Sequence, residues 1–361
     1  MLMPRDPTVL ANEIRFAHVS SGARIAWAKS GRGPALVRVA HWMTNVEHDT
    51  TSPIWRPWLL GFGRRLQTIR YDERGCGLSG SDDVELGLEA ALEELEAVID
   101  ATGLQRVALL GQSGASAPAI AYAVKYPDRV SHLVLLGGYM AGIAHTGASA
   151  DDLAFYEAKV RLVELGWGRN DPAVQQFFST TMLPDATPEQ IVMLNEQQRQ
   201  SCDGARAAKI MRARLGLDVR ALAPLVRCPT LVLHSAGDLM VPIERGRAMA
   251  AAIPGARFET LATRNHIPGP GDGGFERFIE AVSDFVAGES NQLTLTPREK
   301  DLAHAVADGL DNLQLAARLG IAEKTARNAL SALYSKLGVE GRPQAIVLLR
   351  AEGFGGQKPL P

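Results

Sequence analysis

A chain of 361 residues exceeds what one hydrophobic core serves, since cores stop growing near ~250–300 residues, and two domains are expected. With 46% hydrophobic and 22% charged residues and a formal net charge of −2, the composition excludes a disordered chain and supplies no overall pull toward nucleic acid or membrane. Three scattered cysteines, Cys76, Cys202 and Cys228, exclude a disulfide framework and offer no zinc-ligand spacing, so no metal and no cofactor is expected. The first seven residues lack the apolar core of a signal peptide. The most apolar run, Leu133 to Ala144, contains two glycines and is too short to span a bilayer. The expectation is a cytoplasmic protein with no membrane association.

In chain order, short apolar runs bounded by Gly, Pro or Asp read as buried strands: Ala35–Ala40, Leu66–Tyr71, Arg106–Leu110, His132–Leu136, Thr230–His234 and Arg257–Leu261. Amphipathic segments such as Leu86–Thr102 and Ala117–Tyr126 lie between them and read as helices. This alternation predicts a parallel sheet covered by helices on both faces. From about 147 to 222 the alternation stops, and aromatics and methionines are interspersed in helical sequence: Phe155, Tyr156, Trp167, Phe177, Phe178, Met182 and Met193. This stretch reads as a helical cap over the sheet, the alternative being further helices packed on the core. At 289–294 the chain turns small and polar and reads as a linker between residues 1–288 and 295–361. Beyond it Thr296–Asp308, Asn312–Leu319, Glu323–Leu337 and Pro343–Glu352 read as four short helices with no strand.

Gly111-Gln112-Ser113-Gly114-Ala115 follows an apolar strand and opens a helix, which is the setting of a nucleophile elbow. A serine there needs a base, and the base needs an orienting carboxylate. Asp238 stands in the loop leaving the strand Thr230–His234, and His266 in the loop after Arg257–Leu261. Both loops lie at the carboxyl ends of strands, where open α/β sheets place their sites. Singly, a loop Asp is a solvated turn residue and a lone His is structural. Together, in the order Ser113, Asp238, His266, they are expected to form a catalytic triad.

These segments give residues 14 to 286 a resemblance to the α/β-hydrolases. Tyr71-Asp72-Glu73-Arg74-Gly75-Cys76-Gly77-Leu78-Ser79 resembles that family's D-x-R-G-x-G-x-S segment, and the Y-P-x-R-V turn within Tyr122 to Gly138 matches the stretch after its elbow helix. The resemblance implies an oxyanion hole of two backbone N–H groups, one at Gly114 and one after the early strand. Ala40-His41-Trp42-Met43 replaces the usual H-G-x-x motif and puts the second donor at Trp42, with Met43 one register away. Trp42 then stands at the pocket mouth, unless it is an ordinary packing residue.

In the C-terminal part, Thr296 reads as an N-cap with Pro297 at N1 and Glu299 at N3. Gly320 falls in a turn between two short helices, the spacing of a helix-turn-helix. On the second helix Ala326, Ala329, Leu330, Leu333 and Leu337 share one face. Lys324, Thr325, Arg327, Asn328, Ser331 and Ser335 share the other, with no carboxylate after Glu323. From Gln292 onward there are nine Lys and Arg against seven Asp and Glu, a net charge of only +2. The one-sided helix face is therefore the stronger pointer to nucleic acid, the alternative being a solvated helix in a small interaction bundle. Residues Leu295 to Phe354 resemble the LuxR-type DNA-binding domain along its length. The resemblance rests on Leu295-Thr296-Pro297-Arg298-Glu299, Gly309-Leu310-Asp311-Asn312, Glu323-Lys324-Thr325-Ala326-Arg327-Asn328 and Ser335-Lys336-Leu337-Gly338-Val339. It implies groove contacts from Lys324, Arg327 and Asn328, Thr325 near the DNA backbone, a homodimer on double-stranded DNA, and a dimer surface on the last helix around Ile346 and Leu349. Ala326 and Ala329 stand where the family usually has Val and His.

The fold class expected is an α/β-hydrolase fold with a mostly parallel sheet and a helical cap, followed by an all-α four-helix helix-turn-helix domain. The function expected is a transcription regulator whose hydrolase-like domain senses, with or without hydrolysing, a small apolar or acyl-bearing molecule. The alternatives are an active serine esterase or lactonase with an accessory DNA-binding tail, and an interaction module with a decayed site.

Overall fold

The computed structural model describes residues 13–42, 44–80, 86–167, 169, 171–288, 295–337, 339, 341–351 and 354–356. The chain divides into two compact units, Met1–Gly288 and Glu289–Pro361. The expected linker 289–294 lies outside the described residues.

The first unit is built on an eight-stranded sheet. Its strands are β1 (Glu13–His18), β2 (Arg24–Gly31), β3 (Ala35–Arg38), β4 (Gln67–Tyr71), β5 (Val107–Gln112), β6 (Val130–Leu136), β7 (Thr230–Ser235) and β8 (Arg257–Leu261). They lie in the order β1-β2-β4-β3-β5-β6-β7-β8. β1 and β2 are antiparallel to their neighbours, and every pairing from β4 onward is parallel. The sheet is thus mostly parallel, as expected, with an antiparallel pair added at one edge.

Among the described residues this unit holds nine α-helices: α1 (Arg56–Phe62), α2 (Leu88–Thr102), α3 (Ser116–Lys125), α4 (Ala150–Gly166), α5 (Pro172–Met182), α6 (Pro188–Ser201), α7 (Gly204–Leu215), α8 (Ile243–Ala252) and α9 (Phe275–Ala287). The central strands are apolar at successive positions because both faces are covered. Val37, Ile69, Leu109, Leu133, Leu135 and Val232 point to the face packed by α2, α3 and α8. Their neighbours Leu36, Ala108, Leu110, Val134, Leu136, Leu231 and Leu233 point to the other, packed by α1 and α9. Period-two alternation therefore serves two cores. On the second face Trp58, Phe62 and Phe278 meet at ring distances of 4.5 to 6.3 Å, edge-on or tilted, the arrangement aromatic quadrupoles prefer.

Helices α4 to α7 follow one another between β6 and β7, with no strand between them among the described residues. α4 and α6 start with reciprocal capping boxes, Ser149 with Asp152 and Thr187 with Gln190, and Pro188 occupies the first turn of α6. α4 packs on α7 and α5 on α6.

The second unit holds α10 (Pro297–Ala307), α11 (Asn312–Leu319), α12 (Glu323–Leu337) and α13 (Arg342–Ala351). Thr296 and Glu299 close the capping box that starts α10, and Asp311 and Gln314 close the one that starts α11. Gly320 ends α11 at φ 61°, in the left-handed region that glycine enters without cost. Leu302, Val306, Leu315, Leu330, Leu333 and Leu349 form this unit's own core.

Candidate functional site

β5 is buried at all six positions and ends at Gln112. The chain then turns sharply at Ser113, whose φ of 54° is the one positive value among the described non-glycine residues. Such backbone strain persists only where the surroundings over-determine it. Here it lifts the serine off the strand end before α3 begins. Gly111 makes the turn possible. A Cβ on it would lie 2.8 Å from the Ala115 carbonyl oxygen and 2.9 Å from the Ser116 Cα, so the start of the helix would have to move. At the fifth position of the motif a methyl group is accommodated, with Ala115 fully buried.

The loops after β7 and β8 bring the other two residues together. His266 Nδ1 donates to Asp238 Oδ2 at 2.7 Å, and both side chains are buried. Asp238 Oδ1 accepts the backbone N–H groups of Met240 at 2.8 Å and Val241 at 3.0 Å. Burial pushes the Asp238 carboxyl up, but the His266 charge, its hydrogen bond and those two N–H groups outweigh it, and the group titrates below the usual carboxylate value. Ser113 and His266 line one cavity of about 320 Å³. Among the described residues no hydrogen bond joins them. A nucleophile–base bond of this kind commonly tightens only when substrate is bound.

The remaining expected residues are placed as follows. Gly114 is buried directly after Ser113. Trp42 lies at the cavity wall, with its ring 5.3 Å from that of Trp167. It therefore packs and lines at once. Met43 and the side chain of Phe178 lie outside the described residues. Of the interspersed residues between β6 and β7, Tyr156, Phe177 and Met182 reach the cavity, while Phe155 is 63% exposed and points away. The Asp72 to Ser79 segment is structural. Asp72 is buried and accepts the N–H groups of Val46 and Leu78 at 2.8 and 2.9 Å. Burial raises it to about 7. Arg74 is buried against Glu93 and Glu94.

Several residues of the site carry no motif in the sequence. His41 is buried at the cavity against the Trp55 ring, 4.8 Å away. Burial, then Arg38, hold its pKa well below the usual histidine value, and among the described residues its Nε2 has no hydrogen-bond partner. His234 is buried beside Asp238, with Nε2 donating to the Val241 carbonyl at 2.8 Å. Tyr139, Arg214 and Arg245 line the cavity. Among the described residues no cluster of three or more His, Cys, Asp or Glu is arranged to hold a metal, and no helix is long and apolar enough to cross a membrane.

In the second unit Ala326, Leu330 and Leu333 turn inward, while Lys324, Thr325, Arg327 and Asn328 are all exposed on α12. Arg327 rests on Glu323 at 3.3 Å, an exposed pair one helical turn apart. That pair is weak enough to yield to a phosphate or base edge. One expectation is corrected. Leu349 is fully buried in the unit's own core and cannot face a partner; Val347, 70% exposed, is the apolar residue that α13 presents outward.

Comparison with known proteins agrees with both units. The family model of the alpha/beta hydrolase fold matches residues 46–269, and that of the bacterial regulatory proteins of the luxR family matches residues 293–349. The "Putative carbamate hydrolase RutD" of Caulobacter sp. strain K31 is 26% identical over 248 residues, covering 65% of this chain and 86% of its own. Among solved structures, an esterase from Exiguobacterium antarcticum superimposes with a TM-score of 0.60 at 21% identity, covering 75% of this chain and 98% of its own. The enol-lactonase from Burkholderia xenovorans LB400 gives 0.57 at 20% identity, covering 75% and 99%. At these identities the structural likenesses speak for the fold alone.

Proposed function

The chain belongs to the alpha/beta hydrolase fold family and carries a LuxR-type DNA-binding domain, and we propose that it is a transcription regulator whose first unit senses a small acyl-bearing molecule. The observation that carries this reading is the presence in one chain of a cavity holding Ser113 and His266 and of a luxR-family domain with an exposed cationic helix face. A hydrolase with no regulatory task has no use for the second. In this reading the ligand enters the cavity, its carbonyl meets Ser113, and occupancy changes the affinity of the protein for its operator. A homodimer is part of the proposal, because one small domain contacts few bases and two half-sites are the usual remedy.

Hydrolysis is the second reading of the same cavity, favoured by the 2.7 Å contact of His266 with Asp238. Ser113 Oγ would attack the acyl carbon while His266 Nε2 takes its proton, and the intermediate would collapse by breaking the bond to the leaving alcohol, to which His266 returns that proton. The N–H groups of Gly114 and Trp42 would hold the oxyanion, and water would then release the acid and restore the serine. Hydrolysis in that case resets the switch. The relative named as a carbamate hydrolase lends support to acyl chemistry of this kind.

The test is a binding-site selection on random double-stranded DNA with full-length protein, followed by gel shifts on the selected sequence with Ser113 free and Ser113 phosphonylated by a fluorophosphonate. A selected sequence whose affinity changes on phosphonylation supports the regulator. Failure to select any sequence at low salt returns the chain to the esterase reading.

A further inference from the structure

The cavity over Ser113 has a charge that the acyl reading leaves unexplained. Its walls are mostly apolar, Phe177, Met182, Met211 and Leu215 among them, yet Lys159, Arg214 and Arg245 also line it. No Asp or Glu lies among its described lining residues. Arg214 has a counter-ion outside the cavity, Glu73 at 3.1 Å. Arg245 has none among the described residues. Its described contacts are the Ala141 carbonyl at 3.3 Å and the Tyr139 ring, 5.7 Å from its guanidinium carbon. A guanidinium carries five donors, so one carbonyl leaves most of them for another acceptor. The Tyr139 hydroxyl lines the same cavity with no described hydrogen-bond partner.

These groups converge next to the nucleophile. A Cβ on Gly114 would lie 2.9 Å from Tyr139 Oη and 3.1 Å from Arg214 Cδ. Tyr139 and the stem of Arg214 therefore lie directly over the residue that follows Ser113. Arg245 lies 5.7 Å from the Tyr139 ring and Arg214 shares the space over Gly114 with the Tyr139 hydroxyl; burial raises the phenol and both cations act against that rise. Arg245 is half-buried, and its unused donors stand beside an apolar wall, where an entering anion would meet them.

We propose that this cavity binds an acyl molecule bearing a carboxylate, with the carboxylate held by Arg245, Arg214 and Tyr139 and the hydrocarbon body against the apolar wall. The inference rests on the reading of the cavity as a ligand site and refines it from an acyl-bearing ligand to one that also carries a negative charge. A carboxylate takes paired N–H donors from a guanidinium in a geometry that an amide or ester cannot match, and such bonds are about twice as strong as neutral ones.

The experiment is calorimetric titration of full-length protein with hexanoate and with hexanamide, which differ in charge but hardly in size. Hexanoate is expected to bind at least about tenfold more tightly, the worth of one charge-assisted contact. Arg245→Gln should bring the ratio close to one, and Arg245→Lys, which keeps the charge, should restore part of it. Equal affinities in the wild type, or an unchanged ratio in Arg245→Gln, overturn the proposal. Should Arg245→Gln fail to fold, the wild-type ratio and Arg245→Lys still decide. Tight binding of hexanamide alone leaves the ligand site standing and removes its anionic character. A hexanoate preference without effect on binding to the selected DNA keeps the carboxylate subsite and removes the regulator.

Discussion

Asp238 holds His266 in one tautomer: the carboxylate accepts the Nδ1–H at 2.7 Å, and its other oxygen is fixed by two backbone N–H groups. Nε2 is thereby left as the basic nitrogen on the cavity side. If Ser113 is activated by this pair, a fluorophosphonate will label the wild type at Ser113. Ser113→Ala and His266→Ala will abolish labelling. Asp238→Asn, which keeps the shape but lets the amide favour the wrong tautomer, should slow it by on the order of 10⁴-fold. Labelling of Asp238→Asn at the wild-type rate would show that the serine reacts without the pair.

The elbow makes a contrast between two glycines. Gly111→Ala drives a methyl into the backbone of Ala115 and Ser116, which cannot yield without moving α3. Gly114→Ala meets side chains instead, the hydroxyl of Tyr139 and the stem of Arg214. Overpacking costs typically ~1–3 kcal/mol, and the larger loss is expected for Gly111→Ala. Gly114→Ala should remain folded yet label more slowly, because its methyl occupies space beside Ser113. Thermal unfolding of both variants checks the order, and the reverse order would contradict the packing described for the turn.

How much of this could be read from sequence depended on where each contact sits in the chain. β5, β6 and β7 were legible because both faces are covered and long apolar stretches run along them; β8, RFETL, is an edge strand with Arg257 and Thr260 exposed, and it was found from its short run and the turn residues that bound it. β1 was not. Its sequence EIRFAH is an edge strand with Glu13, Arg15 and Phe16 exposed, so no apolar run marks it. β2 was hidden by Lys29 and Ser30, the second of which is buried with its hydroxyl bonded to Thr68 and Arg70 on β4. Ser113, Asp238 and His266 each follow a strand, and that position is visible in sequence. Arg214 and Glu73 stand 141 residues apart and meet only in three dimensions, so the charge of the cavity could not be inferred. Leu349 was assigned to a dimer surface by resemblance, where the burial phase of α13 turns it inward.

His41 sets an acid limit on stability. Its folded pKa lies well below the unfolded value of 6.5, chiefly through burial. Above pH 6.5 neither state holds the proton and stability is full. As pH falls below 6.5 the unfolded chain takes up a proton that the folded one refuses, and stability falls by up to about 1.4 kcal/mol per pH unit. His41→Gln removes that proton uptake. Urea unfolding of the first unit at pH 7.5 and 5.5 should therefore show a smaller loss in the variant than in the wild type. Equal losses would mean that His41 is protonated in the folded protein.

On α12 the exposed residues divide by chemistry. Arg327 and Asn328 can form paired hydrogen bonds with base edges. Replacing either by Ala should cost ~1–3 kcal/mol on the selected sequence and relax preference at one position. Lys324 offers a point charge at the helix start. If it meets phosphate, Lys324→Ala should weaken all sequences alike and lower the slope of log K against log salt by about 1. Arg327 must first leave Glu323, 3.3 Å away. Both side chains are exposed, so the pair costs little to open, and Glu323→Gln should strengthen binding to every sequence by removing an acid from the groove-facing side. Gel shifts of the four variants over a salt series separate these cases. A salt slope unchanged in Lys324→Ala, with specificity intact in Arg327→Ala and Asn328→Ala, would move the DNA contact off this face of α12.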